Sequence, residues 1–331
     1  MFARVVLASK ATTGAPPLIS VHMRYPRIIH GELMTHRVFS RNARSSRAVP
    51  VRTMLNEVTT KPFVPWHWGK NQKGMQGAGD HNAPVELEAE VDTGIGQFPL
   101  PKDHTREEAW LWARDQAVAA AEAFMDAGYH KQLVNRLLEP FSFIDTLVTS
   151  TSWANFFHLR RHKDAEPHFQ DLAELVFEAI ENAEFQTLGV GEWHLPYVND
   201  ADWKQAGDFV HKNGNGVVTH EAVLEVLKKI SAARCARISY APFDGNPSYE
   251  RELERFEHLI NSERMHASPV EHQATPDTLS HYELTSVDLN TGHESLVSSG
   301  TGYDNQHLHG NLDGWVQWRK TFPDEALRDA A

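Results

Sequence analysis

The sequence predicts an α+β protein, a small antiparallel sheet beside a central helical layer. Three observations predict it. Residues 3–9 and 18–24 are β-branched runs flanking Thr12-Thr13-Gly14-Ala15-Pro16-Pro17, the pattern of two strands joined by a turn. The middle of the chain carries apolar stripes that step by three and four, which place side chains on one helical face. Residues 61–104 and 189–216 are rich in turn-forming residues and lack a sustained period, so they read as irregular insertions.

Taken in order, Pro26 suits the first turn of a helix that carries Ile28, Ile29 and Leu33 toward a polar stretch. Thr105-Arg106-Glu107-Glu108 is a capping box opening a helix with Trp110, Ala113, Ala117, Ala120 and Phe124 on one stripe, and Gly128 ends it. Further helices are expected at about 130–138 and 145–160, and after Pro167, where Phe169, Leu172, Val176, Ala179 and Ala183 align. Gly-Glu-Trp-His-Leu-Pro at 191–196 and Asn213-Gly214-Asn215-Gly216 are turn chemistry. Helical period resumes at 219–233 and at 248–264, the latter through Tyr249, Leu253, Phe256 and Ile260. The tail from 276 is polar and Gly-rich as far as Trp315-Val316-Gln317-Trp318.

Composition narrows the function. Hydrophobic content of 41% and charged content of 23% are those of an ordinary soluble globular protein. No apolar run approaches the roughly 18 residues of a membrane helix, and the first residues are too polar for a signal peptide, so a cytoplasmic protein with no membrane partner is expected. A formal charge of -12 argues against a nucleic-acid partner. Basic residues nevertheless concentrate at 24–52 and near 160, which suits a small phosphorylated ligand. The single cysteine, Cys235, excludes an internal disulfide framework and a cysteine-cluster zinc site. Its apolar and small neighbours mark a buried structural thiol rather than a nucleophile.

The densest chemistry lies at 35–47, where four arginines, a histidine, an asparagine and three serines occur together. Arginine forks match phosphate oxygens two at a time, and small hydroxyl residues allow close approach. A basic surface loop would have the same composition. The order His36-Arg37, seven residues, Ser45, then Arg47 resembles the signature of the flavin-dependent thymidylate synthases, with Thr35, Ala43 and Ser46 where that family has Arg, Glu and Gly. His22 and Pro26 match the family's preceding strand and helix. Arg136-Leu137-Leu138-Glu139-Pro140 is similar to its Arg-x-x-Leu-Pro element, and Asn155-Phe156-Phe157-His158-Leu159-Arg160 to its Asn-Phe-Leu-x-Leu-Arg helix. Ala233 to Tyr240 and His266 to His272 resemble elements that precede the signature in the family but follow it here by about two hundred residues. Gln317-Trp318 resembles the Gln-Trp before the signature. The resemblance therefore implies one circularly permuted domain over 1–331, with 231–272 supplying the family's amino-terminal elements.

By that resemblance the fold is that of the flavin-dependent thymidylate synthases, and the activity is one-carbon transfer to C5 of a deoxypyrimidine monophosphate, dUMP to dTMP. The implied cofactor is FAD, with 5,10-methylenetetrahydrofolate and NADPH as co-substrates, in a homotetramer. The nucleotide residues would be Ser45, Ser46, Arg47, Arg136, Arg160, Glu32 and Gln317, with Arg160 stabilising charge on the ring carbonyl. The flavin residues would be His36, Arg37, Asn42, Asn155, Ser239, His266 and Ser268. Each has a plainer role available: His36 and Arg37 suit a helix C-terminus, Ser239 a strand end, and His266 a turn.

The departures matter as well. Ala43 lacks a carboxylate, Glu32 stands where Gln is usual, and Asp164 where His is usual. A carboxylate near the base accepts from an exocyclic amine, which leaves room for dCMP and for hydroxymethyl or hydroxyl products, as in modified phage DNA. Two other readings compete. One is a metalloenzyme, because His158 and His162 lie one helical turn apart with Asp164 or His168 as a third ligand. The other is a non-catalytic relative with a degraded site.

Overall fold

The computed structural model describes residues 1–92, 97–213, 217–238, 248–260, 265–287, 293–323 and 325. It is a mixed α and β protein whose centre is a sheet. β1 (Phe2–Ala11) and β2 (Leu18–Pro26) form the expected antiparallel pair, and Gly14 takes φ 81° in the turn between them, where a side chain would be strained. After a short 3-10 helix come α1 (His30–Met34) and β3 (Ser40–Ala43). α2 (Val51–Thr60) follows.

Residues 61–104 depart from the expected irregular insertion. They form two hairpins, β4 (Gly69–Lys70) with β5 (Ala78–Asp80) and β6 (Val85–Asp92) with β7 (Gln97–His104). The run Val85-Glu86-Leu87-Glu88 alternates at period two, the period of a strand with one solvated face. α3 (Arg106–Asp126) has the expected capping box, with Thr105 Oγ1 accepting from Glu108 N and Thr105 N donating to the Glu108 carboxylate. Gly128 follows at φ 83°. The next helical stretch is shorter than expected: α4 (Lys131–Val134) passes into a 3-10 turn through Phe141 that contains Pro140.

The largest correction lies at 145–160. Phe143–Ser150 is a strand, β8, and the helix α5 is only Trp153–Arg160. β-branched Ile144, Thr146, Val148 and Thr149 favour that outcome, and β8 pairs with β2 on one side and β3 on the other. The order is β3-β8-β2-β1-β9, where β9 (Gln186–Leu188) adds parallel to β1. The central layer is thus a five-stranded, mostly antiparallel sheet. One face carries Val21, Met23, Tyr25, Ile144 and Val148 against α5 and α6 (Pro167–Glu181). The predicted α6 stripe of Phe169, Leu172 and Val176 is fully buried there.

Residues 189–216 also hold more order than expected, since α7 spans Asp200–Asn213. α8 (His220–Ala236) and α9 (Tyr249–Ile260) pack with it. Arg234 ties the three together by donating to both Asp202 oxygens at 2.7 and 2.8 Å, while Tyr249 donates to Asp202 at 2.9 Å. Charged groups this buried need such full pairing. β10 (Ala274–Pro276) pairs with β13 (Trp315–Gln317), and the polar tail between them forms the hairpin β11 (Leu279–Val287) and β12 (Glu294–Tyr303). No helix among the described residues is long and apolar enough to cross a membrane.

Candidate active site

The polar stretch at 35–47 wraps β3, the edge strand. Phe39 anchors its start among Trp153, Phe156 and His36. At the C-terminal end of α5, a position the helix dipole favours for cations, Arg160 reaches across to this loop. Its Nε donates to His36 Nε2 at 2.9 Å and its Nη2 to Thr35 Oγ1 at 2.9 Å, and the guanidinium lies 4.8 Å over the Phe169 ring. His36 is buried, and burial, then Arg160 and Arg41, lower its pKa to about 4. It is therefore neutral at pH 7, with its proton on Nδ1. Arg41 turns back to the end of α1, donating to the carbonyls of Leu33, Met34 and His36 at 3.4, 3.1 and 3.3 Å. Glu32 lies within electrostatic reach of Arg160.

Segments far away in sequence converge on the same strand. Gln317 Nε2 lies 3.2 Å from Ser40 Oγ, 2.9 Å from the Glu271 carbonyl and 3.0 Å from Asn311 Oδ1. Asn311 Nδ2 donates to the Val38 carbonyl at 2.8 Å. A 3-10 helix, Ser268–Glu271, packs against β3, and its Glu271 pairs with Arg319. Burial raises the Glu271 pKa against the pull of that arginine. Arg37 and Asn155 are exposed at this edge, beside Val38 and in the first turn of α5; Ser268 and His266 are exposed too. Asn42 is buried, and its Nδ2 has no hydrogen-bond partner among the described residues.

Beyond β3, the loop that follows makes a second cluster. Asn135 Nδ2 donates to the carbonyls of Ser46 and Val49 at 2.7 and 2.9 Å, pinning the loop against the turn that carries Arg136. Arg44 is held by Glu57 through two bonds of 2.9 and 2.8 Å, so it is a structural cation. Arg136 is exposed and only loosely paired with Glu139 at 3.3 Å. Arg47 is exposed and has no ion pair among the described residues. The two clusters sit at the two ends of β3, about 10 Å apart at the rise of a strand.

The structure thus gathers Glu32, Thr35, His36, Arg160, Gln317 and Ser268 around one end of β3, and Ser45, Ser46, Arg47 and Arg136 around the other. His36 and Gln317 are buried, with His36 Nε2 engaged by Arg160 and Gln317 Nε2 by Ser40, the Glu271 carbonyl and Asn311, which makes them supports for Arg160 and Ser40. Ser239 lies outside the described residues. Arg41, Asn135, Glu271 and Asn311 also shape the site; Asn135 gave no signal because it lies inside an expected helical stretch, and Asn311 because a single asparagine in a polar loop resembles any turn residue. No group of three metal-ligating side chains exists among the described residues. His162 sits instead 3.5 Å from Asp164. Cys235 is fully buried and burial pushes its thiol pKa up, as befits an inert thiol.

No protein-family profile matches the chain, and no curated protein matches it. Among solved structures it is similar to the flavin-dependent thymidylate synthase of Helicobacter pylori complexed with FAD and dUMP, at 16% identity and a TM-score of 0.30, over 49% of this chain and 67% of that one. It is likewise similar to the UMP/dUMP methylase PolB of Streptomyces cacaoi bound with 5-Br UMP, at 16% identity and a TM-score of 0.30, over 50% of this chain and 73% of that one.

Proposed function

We propose that the chain is a circularly permuted flavoenzyme that transfers a one-carbon unit to C5 of a deoxypyrimidine monophosphate. The observation that carries the reading is the Arg160 fork. Its guanidinium is held by His36 and Thr35 of the signature stretch, in the loop that leads into β3, and β3 itself is contacted by Gln317 and by the Ser268–Glu271 turn. Two segments that the family order would place before the signature therefore meet it in space.

In this reading Arg47, Ser45 and Arg136 hold the phosphate, where charge-assisted bonds are short and strong. Arg160 faces the ring carbonyl and stabilises charge that develops there when C5 becomes nucleophilic, a preorganised electrostatic effect. His36 stays neutral, accepts from Arg160 and fixes the plane of the fork. The residues fit a flavin, because Asn42 keeps a buried donor without a partner and Arg37, Asn155, His266 and Ser268 are open to solvent. FAD, when bound, supplies the redox chemistry. The co-substrates are methylenetetrahydrofolate and NADPH, and the assembly is a homo-oligomer. Glu32, placed close to Arg160, favours a cytosine base as the second reading, since a carboxylate accepts from the exocyclic amine.

The test is a visible spectrum of the purified protein, followed by titration with dUMP and dCMP. Perturbation of the flavin band by dUMP supports the thymidylate reading, and preference for dCMP supports the cytosine one. No flavin after incubation with excess FAD, together with no response to either nucleotide, overturns both.

A further inference from the structure

The segment Phe63–Gly69 takes no part in the reaction proposed above, yet it is held with unusual care. Trp66 Nε1 and His67 Nε2 both donate to Asp171 Oδ2, at 2.7 Å each. The Trp66 amide donates to His168 Nε2 at 3.3 Å, and His168 Nδ1 donates to Glu166 at 2.7 Å. Trp110 Nε1 donates to the Phe63 carbonyl at 2.8 Å. The start of α6 and the first turns of α3 thereby fix a chain rich in turn residues.

Between that segment and α3 opens a cavity of about 540 Å³. Its size falls in the range of small-molecule sites, roughly 300–1,000 Å³. Ala109 and Ala113, one helical turn apart, leave the floor empty. Trp68 and Trp110 form the walls, with ring centroids 6.2 Å apart at 84°. The Arg106 guanidinium caps Trp68 at 5.6 Å. Its charge is already answered by Asp80 at 2.8 Å and Glu107 at 2.9 Å. The cavity therefore offers aromatic faces and no unpaired charge. The Trp68 indole N–H has no hydrogen-bond partner among the described residues, so a lining residue keeps one donor available to a ligand.

We propose that this cavity binds a planar heteroaromatic ring, stacked against tryptophan and presenting an edge acceptor to Trp68 Nε1. Aromatic faces supply sequence-tolerant stacking for any such ring, and the single donor supplies orientation. The cavity adjoins the candidate site through α6, since Phe169, the neighbour of His168, lies beneath Arg160. The choice of ring rests on the reading above, in which the residues around β3 are taken by flavin and nucleotide while two co-substrates still need places. Two sources carry the shared chemistry: the pterin of a reduced folate and the adenine of a nicotinamide dinucleotide.

The experiment titrates the full-length protein separately with 5-formyltetrahydrofolate and with NADP⁺, following tryptophan fluorescence and binding heat. Trp68→Ala removes a wall, and Ala109→Leu fills the floor with a good helix former. The expected result is saturable binding of one of the two, weakened about tenfold in both variants, with thermal midpoint and the flavin response to dUMP as in the parent protein. The ligand that binds identifies the source. Binding of neither, or binding unchanged in both variants, overturns the proposal. A protein without flavin that still binds one ring, with loss in both variants, retains this site and fails the function proposed above.

Discussion

Arg160 is worth more than its charge, because a guanidinium is useful to a ring carbonyl only if its plane is fixed. His36 supplies the fixing bond at Nε2, and it can do so only while neutral. Replacing His36 with alanine leaves Arg160 Nε without its acceptor; replacing it with glutamine keeps an acceptor in reach. Hydrogen bonds to charged groups contribute about 1.5–3 kcal/mol. His36→Ala is therefore expected to weaken dUMP binding about tenfold or more, and His36→Gln to recover most of it, as read by titration of the flavin band. Equal losses in the two variants would make His36 a packing residue only. At the other cluster, Arg47 has no ion pair among the described residues, so Arg47→Ala should leave thermal stability unchanged and weaken dUMP. Binding of deoxyuridine, which has no phosphate, should not change. Loss of both ligands alike would exclude Arg47 as a phosphate anchor. The crowding of donors at Ser45, Ser46 and Arg47 is a local feature and was legible in sequence. The burial of Gln317 was not, because solvent exposure depends on Asn311 and Glu271, which reach it only through the fold.

Among the elements, those with local signals came through. The α3 capping box, Gly128 and the α6 stripe through Phe169, Leu172 and Val176 depend on residues close in sequence and stand as read, while Ala183 falls past the end of α6 at Glu181. β8 did not, because its apolar and β-branched residues also fit a helical period, and only pairing to β2 and β3 decides between them. The hairpins within 61–104 were missed for a different reason: glycine and proline dominated the reading, although Val85 to Asp92 alternates strictly. The connection into β13 shows how a local residue can carry a tertiary constraint. Gly314 has φ 77°, and a Cβ there would lie 2.4 Å from the Ala15 Cβ and 2.9 Å from the Tyr303 hydroxyl. Gly314→Ala combines backbone strain with overpacking and should cost about 2 kcal/mol, measured as a shift of the urea midpoint. Because β13 delivers Gln317 to Ser40, the same substitution should weaken flavin retention. Unchanged stability would mean that the turn relaxes freely.

Across the whole molecule, the sheet face opposite the apolar core carries a buried chain of hydrogen bonds. Gln186 Nε2 donates to Ser9 Oγ at 2.9 Å, and Ser9 lies 2.7 Å from His194 Nδ1. His194 Nε2 lies 2.9 Å from Ser20 Oγ, Ser20 is 2.5 Å from Thr149 Oγ1, and Thr149 is 2.8 Å from His272 Nδ1. An amide starts the chain; with each hydroxyl proton pointing onward both imidazoles carry their proton on Nε2, and that of His272 has no partner among the described residues. That directionality requires both rings to be neutral. Burial lowers the pKa of His194 and of His272 to about 3, against about 6.5 in an unfolded chain. With the folded value depressed, the unfolded state binds the extra protons as pH falls. Stability from these two groups is complete above about pH 6.5 and is lost progressively toward pH 3. Two protons correspond to a slope of about 3 kcal/mol per pH unit in the middle of that window. His30 and His36, both lowered to about 4, act in the same direction. Most carboxylates titrate in the lower part of this range, near pH 4, so histidines dominate the upper part of it. Urea midpoints measured between pH 7 and pH 5 should fall steeply, and His272→Asn should lower that slope by about one proton's worth whatever it does to stability at pH 7. A slope near zero in the parent protein, or one that His272→Asn leaves intact, would mean that these rings are charged or hydrated in the folded state and that the chain has no fixed direction.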